Sequence, residues 1–317
     1  MARTNAQNIY SDASKATKDL LAERYDALIQ GIQREAISSQ IKNNNLSGDP
    51  RAGSVEVSRF ANSTAKAYGT ARAAGKGDAL INSGKVTVNI NVDREIVEEV
   101  EQKDLRFKGL TDILADRTKN HKDTVIVDLD TAFFTEAETA ATAVETTGLT
   151  KTSEIVDAVI EKITNVKNAW VEGVNRADVV LTLDSASYDA LLREQDFSPI
   201  NETTVQAGRM GRYHGATVYE NIRQTAKVIG QRKESIAQPV VMDEYSDPER
   251  VPLSNAFATS LFYSYGTKAV TPDLIFKVAG KEKPNNPKPR RVKSGASQRK
   301  NTWTMTKSNR SSNTRNN

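Results

Sequence analysis

The chain has 317 residues, of which 38% are hydrophobic and 6% aromatic, with a formal net charge of +4, no cysteine and two histidines. The lack of cysteine excludes disulfides, thiolate metal sites and thiol nucleophiles, and with His121 and His214 the only histidines a histidine metal centre or a catalytic histidine is not expected. No run approaches the roughly 18 to 20 apolar residues of a membrane span, and the N-terminus offers no apolar signal region, so the protein is expected to act where it is made.

Taken in order, Ser11 or Asp12 can cap a helix whose apolar face includes Leu20, Leu21, Leu28, Ile29 and Ile32, continued by Ile37 and Ile41. Turn chemistry at residues 46–53 makes a linker, so residues 1–53 read as an arm whose stripe needs a surface from its own chain or a neighbour. Ser54 to Phe60 reads as a strand. Lys85 to Val92 alternates strictly between polar and apolar residues, the period of a strand with one buried face. Between them lies a Gly/Ala/Ser-rich stretch, so residues 54–92 read as an extended hairpin with a mobile tip. Its Gly75-Lys76-Gly77 triplet lacks phosphate-loop spacing. From Asp93 to about Ala140, Glu-, Lys- and Leu-rich sequence predicts one long helical stretch with a candidate break near Gly109; a helix of roughly 30 residues would be about 45 Å long.

Residues 152–173 predict a helix with Val156, Val159, Ile160, Ile163, Val166 and Trp170 on one face, Trp170 being expected in the core. A buried strand at 177–183 follows, then a helix capped by Asp184-Ser185 with Tyr188, Leu191 and Leu192 facing inward. Residues 196–215 read as a polar loop in which Arg209 and Arg212 are expected to pair with carboxylates of the same or a neighbouring chain in preference to phosphate. Short strands are expected at 216–219, 226–229 and 239–242. A longer one at 257–265, with Phe257, Thr259, Leu261, Tyr263 and Tyr265 on one face, is expected to pair with 273–278 against the long helix. The acid pairs Glu98-Glu99 and Asp128/Asp130 read as solvated helix faces.

From Lys281 onward there are eleven Lys or Arg against Glu282 alone, a charge of +10 that leaves the first 280 residues at −6. Such a segment cannot bury enough apolar area to offset its ordering entropy, and is predicted to be disordered alone. Lys288, Arg290, Arg291, Lys293, Arg299 and Lys300 are its candidate polyanion contacts, with Trp303 as a stacking group.

Five stretches in sequence carry a resemblance: 84–105 (GKVTVNINVDREIVEEVEQKDL), 123–137 (DTVIVDLDTAFFTEA), 177–194 (ADVVLTLDSASYDALLRE), 211–222 (GRYHGATVYENI) and 257–276 (FATSLFYSYGTKAVTPDLIF). In order and texture, over roughly residues 1–280, the chain resembles the major capsid proteins of tailed bacteriophages. The resemblance implies the α+β HK97-like capsid fold: an N-terminal arm (1–53), an extended hairpin loop (54–92), a peripheral domain with its spine helix (93–150), an axial domain (151–225) and return strands closing both (226–280). The basic tail (281–317) lies outside the family pattern. It implies a structural, non-enzymatic shell protein without cofactor or metal, assembling into hexamers and pentamers of an icosahedral shell around double-stranded DNA. Scaffold and portal proteins would be its partners, DNA would be met indirectly or through the tail, and the virion, assembled in the host cytoplasm, would be its location. Leu21, Leu28, Ile32 and Lys76 are the expected inter-subunit contacts. Some family members crosslink a loop lysine to a neighbour's asparagine, for which Lys76 and Lys85 are the candidate donors, with no acceptor marked. The competing readings are an encapsulin-type compartment and a nucleic-acid-binding protein acting through its tail.

Overall fold

The structure is a computed structural model and describes residues 15–62, 67–69, 83–101, 110–194, 209–246, 249–254 and 256–280, with side chains left out in several terminal turns. The chain separates into a compact unit ending at Lys281 and a second unit, 282–317, that lies outside the described residues.

Two sheets and one helix set the architecture. The helix α3, Leu110–Ala140, has 31 residues and so runs about 46 Å. Before it come α1 (Lys15–Glu35), α2 (Ile37–Ile41), β1 (Ser54–Phe60), β2 (Ser83–Asn89) and β3 (Val92–Glu101). After it come β4 (Thr142–Ala143), α4 (Thr152–Thr164), β5 (Val179–Leu183), α5 (Ser185–Glu194), β6 (Arg209–Tyr213), β7 (Ala216–Glu220) and β8 (Val228–Arg232). The last strands are β9 (Ile236–Ala237), β10 (Val240–Met242), β11 (Glu249–Arg250), β12 (Ala256–Tyr265), β13 (Lys268–Ala269) and β14 (Ile275–Val278).

The six-stranded sheet, β4-β14-β8-β5-β7-β6, is filled on both faces. Along β5 all five side chains are buried. Val179, Leu181 and Leu183 meet α4 and α5 through Val156, Val159, Ile163 and Leu191. Val180 points the other way, with Ile229 and Ile275, onto Phe133, Phe134 and Ala137 of α3. Alternation of side chains along a strand makes this three-layer packing possible from a continuous apolar run. At Gly230 a Cβ would come within 2.8 Å of Ile163 Cδ1 and still closer to Val159, so β8 and α4 approach as only glycine allows.

The second sheet is centred on β12, which pairs with β3 over ten residues on one side and with β10 and β11 on the other. Its inner face, with Leu261, Tyr263 and Tyr265, packs on Val125, Ile126 and Leu129 of α3 and on Leu28 and Ile32 of α1. The hairpin β1-β2 forms a separate two-stranded ribbon whose Val55, Val57 and Val88 pack on Ala237 and Val270.

Four expectations are corrected. Residues from Asp93 onward continue as a strand and not as helix, because ten residues of pairing with β12 outweigh the helical preference of their glutamates. The strand at 275–278 pairs with β8 and β4 in the six-stranded sheet and not with β12. The helix from Thr152 stops at Thr164, with Asn165 as its C-cap, so Val166 and Trp170 fall outside it. Lastly, Arg209–Tyr213, read as loop, is an edge strand joined to β7 by a turn at His214-Gly215.

Candidate assembly surfaces

The hairpin is held at its loop-side end by a small charged cluster. Arg59 on β1 bonds Asp273 at 2.6 Å and lies over the Trp170 ring, 5.0 Å from its centroid. Asn168 donates to the same Asp273 oxygen, and the Trp170 ring abuts Gly84 on β2, where a Cβ would sit 3.3 Å from it. Arg59 and Asn168 hold the Asp273 carboxyl below its ordinary range against the opposing effect of burial, which is the largest single influence on it. Trp170 is thus the half-buried footing of the hairpin, not a core residue. Nearer the Ser54/Asn89 end of the ribbon, Lys85 reaches Glu56 at 2.9 Å and both are exposed, while Phe60 at the loop-side end of β1 is 68% exposed.

The expected arm is anchored for much of its length. Leu28 is 0% exposed and Ile32 6%, both against α3 and β12 of the same chain. Tyr25 donates its hydroxyl to the Met242 carbonyl, Lys122 pairs with Glu35, and a Cβ on Gly31 would strike the Lys122 side chain. Leu28 and Ile32 are therefore corrected from inter-subunit contacts to core residues, since a side chain already enclosed by its own chain has no area left to bury against a neighbour. The Leu21 side chain, Lys76, the Gly75-Lys76-Gly77 triplet and the tail residues Lys288, Arg290, Arg291, Lys293, Arg299, Lys300 and Trp303 lie outside the described residues.

Beside α1 a cleft of about 380 Å³ is lined by Tyr25, Ile29, Lys42, Arg51, Leu129 and Val241. Burial lowers the Lys42 pKa, and its ammonium donates to the Gln238 carbonyl. At the other end of the second sheet, Glu98 accepts from Arg117 and bonds His121 Nε2 at 3.1 Å, while His121 Nδ1 meets the Tyr245 hydroxyl at 2.9 Å. Burial pushes the Tyr245 phenol up to about 12. This set ties α3 to β3 and to the segment after β10.

Asp130 overturns the reading of the Asp128/Asp130 pair as a solvated face. It is fully buried, bonds Arg223 at 3.1 Å and accepts from the Ser38 backbone, so one carboxylate joins α2, α3 and the loop after β7. Glu98 is likewise a strand residue in a network. Arg212 is exposed and has no carboxylate partner within its own chain among the described residues. No group of three or more His, Asp or Glu suited to a metal ion occurs among the described residues, and no helix among them is long and apolar enough to cross a membrane.

Sequence reasoning passed over the open side of β3, where Asp93, Glu95, Val97 and Glu99 are exposed. Val92 and Ile96, four apart and both half-buried, carry the strand period past Asn91 and were its available signal.

No protein-family model matches the sequence, and no curated protein matches it. Solved structures do match the fold. The capsid of an empty GTA particle superposes with a TM-score of 0.54 at 11% identity, over 77% of this chain and 89% of the other. The capsid of cyanophage P-SCSP1u gives 0.53 at 8% identity, over 78% and 89%. A virus-like particle from Pyrococcus furiosus gives 0.51 at 14% identity, over 82% and 98%. Two sheets sharing one long helix, with an anchored hairpin, are thus the mixed α/β fold of HK97-type capsid structures.

Proposed function

We propose that this chain is the major capsid protein of a tailed bacteriophage, a structural protein without catalytic activity that self-assembles into an icosahedral shell around double-stranded DNA. The observation that supports the reading is that the shared fold spans 89% of the phage and GTA capsid chains, so nearly the whole shell-forming unit of those chains has a counterpart here. The second sheet with α3 is the proposed peripheral domain, the six-stranded sheet with α4 and α5 the proposed axial domain, and the β1-β2 hairpin the proposed loop reaching a neighbour. Hexamers and pentamers, scaffold and portal partners, and DNA met indirectly or through the basic tail complete the proposal, with the virion as its location and the host cytoplasm as the place of assembly.

The test is to express the full chain, alone and with the scaffold protein encoded beside it, and to follow assembly by sizing and negative-stain imaging. Closed shells or rings are expected. A monodisperse monomer at high concentration with scaffold present overturns the proposal. The match to the Pyrococcus furiosus particle favours one second reading, an encapsulin-type compartment. It predicts shells that enclose protein and no DNA when isolated from the native source.

A further inference from the structure

Among the described residues, the second sheet is covered on one face only. Val92 and Ile96 of β3 turn toward the core shared with α1 and α3, while Asp93, Glu95, Val97 and Glu99 turn to the open side. The pairing sets Ser260 opposite Val97 and Phe262 opposite Glu95, which makes Val97 and Phe262 diagonal neighbours on that side. They are 53% and 43% exposed, an apolar centre within an acidic rim. Asp93, Glu95 and Glu99 form no ion pair among the described residues, whereas Arg94 and Glu98 of the same strand are paired with Asp128 and with Arg117 and His121.

One edge of this sheet is also open. The outer edge of β12 is occupied by β10, β11 and the segment between them, where Asp243 N bonds the Phe262 carbonyl and Ser246 N the Ser260 carbonyl. The far edge of β3 pairs with no described strand over its ten residues. Such an edge is a template for an added extended segment. A second β3 does not suit it, because five acids against Arg94 alone would be set beside like charges. A basic segment paired in extended form would suit both the edge and the rim, and residues 281–317 have the composition for it, with eleven Lys or Arg, Glu282 alone among acids, and Val292 and Trp303 as apolar side chains. Fully extended, such a length of chain reaches about 120 Å, so span does not limit which copy it meets.

We infer that the open face and free edge of β3 receive a basic stretch of residues 281–317 from a second copy of this chain. The inference rests on the shell reading only in requiring neighbouring copies. DNA and the β3 face then compete for the same cationic side chains, so the acidic face holds the segment until a stronger polyanion is present.

The test uses the full chain, assembled from equal parts of unlabelled and nitrogen-15-labelled protein. A water-soluble carbodiimide joins a lysine amine in contact with a carboxylate as an amide, with loss of the carboxylate oxygen to the urea by-product. Mass spectrometry should find Lys288, Lys293 or Lys300 joined to Asp93, Glu95 or Glu99 in peptides of mixed isotope. The exposed triple substitution D93N/E95Q/E99Q should keep the melting curve within a few degrees, redirect those links elsewhere, and raise DNA affinity at low salt at least three-fold. Links in same-isotope pairs only, links from the β3 acids to Lys66 or Lys76 instead, or tail lysines joined solely to other carboxylates overturn the inference. So does unchanged DNA affinity in the triple variant. An assembled protein without these links overturns this inference alone, whereas a monomer overturns it together with the shell reading.

Discussion

The six-stranded sheet and the four-stranded sheet are completed in different ways. The first has apolar side chains on both faces and finds cover for both within its own chain, from α4 and α5 on one side and from Phe133 and Phe134 of α3 on the other. The second has one apolar face, sealed by α1 and the middle of α3, and one polar face that no described residue covers. A strand such as β5, with five buried residues, leaves nothing for a partner to cover, whereas β3 leaves a face and an edge. For a subunit that assembles, the sealed sheet can supply folding stability and the open one can supply contact area.

The comparison is broken most severely through α1. Leu28 lies at 0% exposure in the core under the second sheet, so Leu28→Ala should cost about 2–5 kcal/mol in urea unfolding of the isolated subunit. Leu28→Asp should prevent accumulation of folded protein. Normal stability with lost assembly would show that α1 belongs to a neighbour's core after all. Next, Asp130→Ala removes the buried partner of Arg223 and the acceptor for Ser38 N, with an expected cost of about 3–4 kcal/mol. It should loosen α2 from α3 in hydrogen exchange, and unchanged exchange at Ser38 would refute that role.

A smaller, local effect is expected at the hairpin. Arg59→Ala should leave the melting temperature nearly unchanged while speeding amide exchange in β1 and β2, because the ion pair and ring contact fasten only the ribbon's loop-side end. Equal protection in the variant would mean that Val55, Val57 and Val88 suffice. The smallest effect concerns the sealed sheet. The Glu194 carboxylate accepts from Thr152 N and Ser153 N at the start of α4, chiefly the Ser153 bond, and this lowers its pKa. A lowered carboxyl pKa contributes stability that is present above its unfolded value and lost as pH falls through the folded one. The group is exposed, so Glu194→Gln should cost no more than about 0.5 kcal/mol at neutral pH and nothing once the acid is protonated. A difference from wild type that persisted at pH 3 would refute the assignment.

Local pattern sufficed where one element's own residues decide its state. β1 spans the residues read as a strand, Ser54–Phe60, because Val55 and Val57 alternate with polar neighbours. β5 and α5 follow from an apolar run and from Asp184, whose carboxylate caps α5 at Ser187 N. It failed where a distant partner decides. Glu95, Glu98 and Glu99 favour a helix locally, and only the β12 register makes them strand. The partners of β14 are set by the path of β8, which no local period encodes. Leu28 and Ile32 were visible as a stripe, but a stripe says that cover is needed and not which chain provides it.

The long helix has a thermodynamic consequence. Val125, Ile126 and Leu129 belong to the core under one sheet, and Phe133, Phe134 and Ala137 to the core under the other, within four turns of the same rod. Neither core can melt without exposing part of α3 that the other core requires to be ordered. Two sheets with separate hydrophobic clusters would ordinarily give two unfolding events. Here the shared helix makes them one cooperative unit, so calorimetric and van't Hoff enthalpies of the subunit should agree.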